Sequence, residues 1–177
     1  MMEKICAFDI GMKHFAFAII RVTSLPENDN VSSWWNCVHM SCIDLGGDVL
    51  KNLHIVLQKE FVEDRNLTQG KWTVLIERQM VVNHKAVQLA AHVQAFFMIH
   101  YPYLPLIDYA STLKTRVLGV RFTKKSDRKK WSTETVKQYF TEQRDHISLE
   151  WLNTFKKQDD ICDCILMCVT YARQRQK

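Results

Sequence analysis

The chain has 177 residues, a length that predicts one domain rather than two. Hydrophobic residues make up 47% of it, which is enough to build a single core. Its net charge is +5, and its pI of about 8.9 favours a polyanionic partner. The N-terminal segment lacks the pattern of a secretory signal, and no apolar stretch is long enough to span a bilayer. We therefore expect a soluble, intracellular protein with no membrane partner.

The first half of the chain is predicted to open with an antiparallel meander. Apolar runs at 5–10 and 15–22 read as two strands of a hairpin joined at 11–14. A polar loop at 26–30 follows, and then a third strand at 34–43. The pattern next becomes helical, with Asp48 as the expected N-cap.

Strands and helices then alternate. Residues 72–76 are predicted to form a fourth strand, and Asn83 to cap a helix that ends before Pro102. A short fifth strand is predicted at 106–109. Strands separated by helices imply a mixed sheet with a parallel half.

The last third of the chain begins with a concentration of positive charge. This basic run is predicted to precede a helix starting near Trp131 that buries aromatic side chains on one face. After a weakly patterned segment around Trp151, Asp159 or its neighbour is expected to cap a final, strongly apolar helix. The basic run is either a solvated loop or a phosphate-binding segment, and it contains Arg121, Lys124, Lys125, Arg128, Lys129 and Lys130.

The cysteines predict no disulfide framework. No two of them form a Cys-x-x-Cys pair, and several lie in apolar segments, which favours buried free thiols in a reducing compartment. Cys164 and Cys168, four residues apart on the final helix, are expected to pack in the core. The six cysteines are Cys6, Cys37, Cys42, Cys162, Cys164 and Cys168.

Four carboxylates occupy positions from which a mixed sheet can aim them at one point. Asp9 ends the first strand, Glu77 ends the fourth, and Asp160 and Asp163 open the final helix on one face. Taken singly, Asp9 fits a turn, Glu77 a solvated strand end, and the pair a helix N-terminus that favours acids. Together they predict a site for two magnesium or manganese ions about 3.5 to 4 Å apart, which suits phosphodiester chemistry.

Histidine and tryptophan side chains give weaker signals. The spacing of eight residues between His84, His92 and His100 rotates around a helix and predicts no compact zinc site. The other histidines considered, His39, His54 and His146, are scattered, and each is interpreted as a surface or core histidine. Trp34, Trp35 and Trp72 are predicted to lie in the core.

Three segments resemble the signature blocks of a known family. They are Phe-Asp-Ile-Gly-Met-Lys at 8–13, Ile-Glu-Arg-Gln at 76–79 and Lys-Lys-Gln-Asp-Asp-Ile-Cys-Asp at 156–163. In this order and spacing they resemble the poxvirus Holliday junction resolvases, relatives of bacterial RuvC and of the fungal mitochondrial resolvases. The resemblance implies an α/β, ribonuclease H-like fold: one domain over 1–177, with a five-stranded mixed sheet of an antiparallel meander plus parallel strands, flanked by helices.

The resemblance also implies an activity. It predicts a homodimer that places two active sites across a four-way DNA junction and nicks two opposing strands symmetrically, as in the resolution of viral DNA concatemers in the host cytoplasm. Asp9, Glu77, Asp160 and Asp163 would be the catalytic residues and metal ligands, with two Mg²⁺ ions per site and Mn²⁺ able to substitute. The implied DNA-binding residues are Lys13, Arg121, Lys124, Lys125, Arg128, Lys129, Lys130, Lys156 and Lys157.

Further features leave alternatives open. The segment 83–100 is expected to help form the dimer. His14 stands where the family often has Asn, and it either reaches the scissile phosphate or packs. Half of an actin-like or sugar-kinase fold also begins with Asp-x-Gly, but it needs a second domain and more than the five glycines present. A non-enzymatic junction-binding scaffold, with structural acids, is the other alternative.

Overall fold

The computed structural model describes residues 2–23, 34–65, 67–68 and 70–175. A five-stranded sheet lies at its centre in the order β3-β2-β1-β4-β5. β1, β2 and β3 pair antiparallel, whereas β4 and β5 run parallel to β1. The predicted mixed sheet is confirmed, and the predicted loop at 26–30 lies outside the described residues. The strands are β1 (Glu3–Ile10), β2 (His14–Val22), β3 (Trp35–Asp44), β4 (Lys71–Glu77) and β5 (Leu106–Tyr109).

In the described part of the chain, six α-helices cover the two faces of the sheet. The predicted caps of the first two are confirmed, because Asp48 accepts from the Lys51 N–H and Asn83 accepts from the Ala86 N–H. No helix among the described residues is long and apolar enough to cross a membrane. The helices are α1 (Val49–Gln58, continued by a π-helical turn, Lys59–Glu63), α2 (His84–His100), α3 (Leu113–Val117), α4 (Lys125–Glu142), α5 (His146–Asn153) and α6 (Gln158–Gln174).

Two helices were missed, and two predictions about helix starts were wrong. α3 and α5 were not predicted, because helices of five and eight residues are too short to establish a helical period in the sequence. α4 begins at Lys125 rather than near Trp131, so most of the basic run forms its first turns. Lys and Arg are good helix formers, and a helical segment that faces solvent needs no apolar pattern. α6 begins after Lys157 without a side-chain cap, and Asp159 lies inside its first turn.

The sheet separates two apolar cores. Successive side chains of a strand point to opposite faces. Ile5 and Ala7 of β1 therefore pack on the side of α4 and α6, while Cys6 and Phe8 pack on the side of α1 and α2. The predicted burial of Trp34, Trp35 and Trp72 is confirmed, at 1%, 2% and 5% exposure.

α6 lies antiparallel to β1 across the first of these cores. The Cys164 thiol donates to the carbonyl of Ala16, and the Cys168 thiol donates to that of Ile5. At the far end of the helix, Arg175 binds Glu3, the first residue of β1. The N-terminus of α6 is therefore carried to the carboxyl end of β1. All six cysteines are free thiols, as predicted.

The turn between β1 and β2 depends on Gly11. A Cβ atom on this residue would lie 2.1 Å from the backbone oxygen of His14, closer than two non-bonded atoms can approach. The hairpin directly beyond Asp9 is therefore closed by a contact that only glycine permits.

The environment of His39 on β3 leads us to expect that the folded protein loses stability at acidic pH. Burial lowers its pKa from 6.5 to about 4, and the ring stacks on Phe17. Between these pH values the unfolded chain binds a proton that the folded chain does not. Stability should therefore fall by roughly 2 kcal/mol as pH drops from 6.5 to 4, allowing for solvent screening. Urea denaturation at several pH values in this range measures the free energy of unfolding. For His39→Gln this free energy should fall less steeply with decreasing pH than for the wild type, and an equally steep fall would contradict the assignment.

Candidate active site

Strand register brings the first two acids together. β1 and β4 are parallel, with Phe8 paired to Ile76, so one further step places Asp9 beside Glu77. Both residues follow the alternation of their strands onto the α6 face, since Asp9 comes two residues after Ala7 and Glu77 two after Leu75. The two carboxylates thus stand side by side at one edge of the sheet.

α6 supplies the other two acids to the same place. Because its N-terminus reaches the carboxyl end of β1, Asp160 and Asp163 face the strand carboxylates. All four predicted acids line one cavity of about 550 Å³. The same cavity is lined by five basic side chains, here called the basic wall: Arg78, Lys124, Lys125, Arg128 and Lys129.

The acids affect one another electrostatically. Burial, followed by the charges of Glu77, Asp160 and Asp163, raises the pKa of the Asp9 carboxyl well above its usual value. Burial and the neighbouring Asp159 raise the pKa of Asp160. Ionisation of Asp9 is therefore opposed both by burial and by the neighbouring carboxylates.

Lys114 of α3 compensates part of the negative charge of the acids. Its side chain is fully buried. Its Nζ lies 2.7 Å from Oδ2 of Asp163 and 3.9 Å from Oε1 of Glu77, and its charge also lowers the pKa of Asp9. A buried lysine is tolerated only where it is paired, and here it joins acids from the sheet and from α6.

The second oxygen of Asp163 has its own partner. The hydroxyl of Ser132, on α4, is 2.7 Å from Oδ1 of Asp163, and the serine is fully buried. Asp163 itself is 8% exposed. Its carboxylate is thus held from two sides by two different helices.

Lys129 bridges the first turn of α6. It forms an ion pair with Asp159, and its Nζ lies 3.6 Å from Oδ1 of Asp160. Although burial opposes ionisation of Asp159, the bond to Lys129 holds the pKa of that carboxyl below its usual value. Asp159 is therefore a firmly ionised partner for Lys129, while Asp160 stays on the cavity wall.

The donor set suits a hard divalent cation. Carboxylate oxygens are the ligands that Mg²⁺ and Mn²⁺ prefer, and a bound cation would favour the ionised form of Asp9, which burial and the neighbouring acids oppose. Within the described ranges, no three His, Cys, Asp or Glu side chains already stand in metal-binding geometry. Asp163 and Asp160 are instead engaged by Lys114 and Lys129.

The predicted DNA-binding residues divide into two groups. Lys124, Lys125, Arg128 and Lys129 line the cavity, and Lys157 is near enough to lower the pKa of Asp160. The remaining four do not line it: Lys13 is exposed in the β1–β2 turn, Arg121 borders a separate depression, Lys130 pairs with Glu134, and Lys156 is exposed before α6.

Sequence reasoning missed Lys114 and Ser132. A lysine in the short segment after β5 has no local signature of burial. Only the sheet topology could have indicated its position. β5 is parallel to β4, so the segment that follows β5 starts at the end of the sheet where Glu77 lies. Ser132 lies just beyond the basic run and had no signal of its own.

The histidines form no zinc site in the described part of the chain. His54 Nδ1 and His92 Nε2 lie 3.3 Å apart between α1 and α2, a pairing that spacing along one helix could not predict. His14 begins β2 and is half-buried.

Two solved structures share this architecture over nearly the whole chain. RuvC of Thermus thermophilus has a TM-score of 0.62 at 13% identity, covering 97% of this chain and 96% of that one. T. thermophilus RuvC in complex with a Holliday junction substrate has a TM-score of 0.60 at 11% identity, covering 98% and 96%. The fold is therefore RuvC-like and belongs to the ribonuclease H-like class.

The family is identified from the sequence itself. The profile of the family described as Poxvirus A22 protein matches residues 3–175. The chain belongs to this family, the poxvirus Holliday junction resolvases, as its three signature blocks predicted. Uncharacterized protein 97L of Invertebrate iridescent virus 3 is 28% identical over 207 residues, covering 96% of this chain and 99% of that protein.

Proposed function

We propose that this protein is a divalent-metal-dependent endonuclease that resolves four-way DNA junctions by symmetric paired nicking. The observation that carries the proposal is one cavity lined both by Asp9, Glu77, Asp160 and Asp163 and by the basic wall. Carboxylates suit hard cations and the basic wall suits phosphates, so the cavity offers what phosphodiester hydrolysis requires. Family membership supports the same reaction.

The four acids have distinct structural roles in this proposal. Asp9 and Glu77 provide the rigid part of the site because both belong to paired strands, while Asp160 and Asp163 complete it from α6. Together they would hold two Mg²⁺ ions, with Mn²⁺ able to substitute. When bound, the ions supply an activated water and stabilise the charge on the leaving 3′ oxygen.

The basic wall would hold the DNA backbone. Lys124 and Lys125 are exposed at the cavity, and the buried Nε of Arg128 finds no acceptor among the described residues. A guanidinium with a free N–H beside the acids is suited to a phosphate oxygen. The related fold of T. thermophilus RuvC has been solved with a Holliday junction. For this chain we propose junctions and other branched DNA as substrates, including viral concatemers.

Removing two charges from this wall should weaken DNA binding without abolishing the fold. In the double variant Lys125→Ala and Arg128→Ala, the slope of log affinity against log salt concentration should become shallower by about 1.8, at roughly 0.9 per lost phosphate contact. The measurement is junction binding in Ca²⁺ over a series of salt concentrations.

Lys51→Ala provides the matched control. Lys51 is an exposed lysine of α1, on the opposite face of the sheet. It should leave both the affinity and its salt slope at wild-type values. An unchanged slope in the double variant would remove the basic wall from the proposed interface.

Paired nicking requires two active sites, so we propose a homodimer. α2 carries the apolar side chains Val87, Met98 and Ile99 with 38%, 63% and 76% exposure. These exposed side chains of α2 are the proposed contact between protomers. Light scattering of the purified protein would detect the dimer, and a monomeric mass would count against this part of the proposal.

A non-enzymatic junction scaffold is the competing function. The ion pairs Lys114–Asp163 and Lys129–Asp159 favour it, since paired acids also serve a purely structural role. The nuclease differs in requiring that the same carboxylates accept cations.

One experiment separates the two functions. The protein is bound to a labelled four-way junction in Ca²⁺, Mg²⁺ is then added, and the strands are resolved on a denaturing gel. Paired nicks in opposing strands support the resolvase, whereas retained and uncut DNA supports the scaffold. Flaps, hairpins and linear duplex treated in parallel define the substrate range.

A further inference from the structure

Ser132 bonds differently from two threonines of the same helix. Thr133 and Thr141 of α4 donate to backbone carbonyls four residues earlier, the usual bond for a hydroxyl inside a helix. Ser132 instead donates across the helix interface to Oδ1 of Asp163 at 2.7 Å. It does so with no exposure to solvent, so water does not replace this bond.

The bond leaves Asp163 held from two directions. Lys114 Nζ lies 2.7 Å from Oδ2, while the Ser132 hydroxyl engages Oδ1. Lys114 alone would leave the carboxylate free to rotate about its Cβ–Cγ bond and to turn both oxygens towards the ammonium group. The serine prevents this rotation and keeps the unused lone pairs in a fixed direction.

We infer that Ser132 is a positioning residue that orients the Asp163 carboxylate for cation binding and limits its pairing with Lys114. The inference rests on the proposed metal site. Groups that hydrogen-bond to a ligating side chain fix its direction, and their loss typically lowers metal affinity 10- to 100-fold. The expected effect of losing Ser132 is therefore on metal affinity, while contact with DNA is unchanged.

The test is a titration of the metal-free protein with Mn²⁺ alone, followed by electron paramagnetic resonance. Ser132→Ala should weaken Mn²⁺ binding by about 10- to 100-fold. The Mg²⁺ concentration for half-maximal junction cleavage should rise in step, and junction binding in EDTA should stay at the wild-type level. A merely structural serine would not move the metal titration.

Ser148→Ala is the matched control. Ser148 is also buried, at 5% exposure, but lies on α5 and does not line the acid cavity. Its loss should leave Mn²⁺ affinity unchanged. If Ser132→Ala does not fold, Ser132→Cys keeps a similar volume with a much weaker donor, and its Mn²⁺ affinity decides instead.

The outcomes separate this inference from the proposed function. A wild-type protein that binds no Mn²⁺ overturns both. If the wild type binds and a folded Ser132 variant binds equally well, the positioning role alone is overturned. Weaker binding in the Ser132 variant with normal binding in Ser148→Ala supports it.

Discussion

Asp160→Asn is expected to abolish junction cleavage while leaving junction binding intact. Asp160 lines the cavity beside Asp9 and Asp163, where an amide in place of the carboxylate removes one negative ligand for a cation. Metal ions contribute several kcal/mol of transition-state stabilisation, so the cleavage rate should fall by about 1000-fold or more. Single-turnover cleavage in Mg²⁺ measures the rate, and a gel-shift assay in Ca²⁺ measures binding.

The stability of this variant provides a second readout. Burial and Asp159 raise the pKa of Asp160, so its ionised form is disfavoured in the folded protein. Replacing it with a neutral amide relieves that penalty, and the metal-free Tm should not fall. Lost activity at undiminished stability separates a functional carboxylate from a structural one.

Asp159→Asn is the matched control for this prediction. Asp159 carries the same chemical group one residue earlier, but it is paired with Lys129 and does not line the cavity. Its replacement should retain cleavage within about tenfold of wild type. Cleavage by Asp160→Asn at the wild-type rate would show that the carboxylate has no role in the reaction.

The position of the acids followed from local sequence signals. Asp9 and Glu77 end apolar runs with the composition of buried strands, and strands separated by helices predicted a sheet with a parallel half. Asp160 and Asp163 stand three residues apart before an apolar helix, which places both on one face. Strand ends and helical spacing were therefore sufficient to predict which carboxylates meet.

The counter-charges could not be predicted in the same way. The burial of Lys114 depends on the summed charge of Asp163, Glu77 and Asp9, which come from three separate elements. No local pattern carries that sum. The start of α4 was missed for a related reason: its first turns are held by helix propensity and by the bond from Lys129 to Asp159, and neither leaves an apolar period in the sequence.

Lys114→Met is expected to destabilise the protein strongly despite preserving the size of the side chain. The substitution removes the one buried cation that contacts both Asp163 and Glu77 among the described residues. Taking one partner from a buried ion pair typically costs about 3 to 5 kcal/mol, because the remaining charge is left without compensation. Urea denaturation of the metal-free protein at pH 7 measures the loss.

A double variant shows whether charge is the cause. In Lys114→Met combined with Asp163→Asn, the uncompensated carboxylate is also removed, so most of the lost stability should return. Lys137→Met, which changes a half-buried lysine of α4 outside the acid cavity, should have little effect. If the double variant is no more stable than Lys114→Met alone, the loss comes from packing of the lysine stem. In that case Lys114 does not act as the internal counter-charge of the carboxylate cluster.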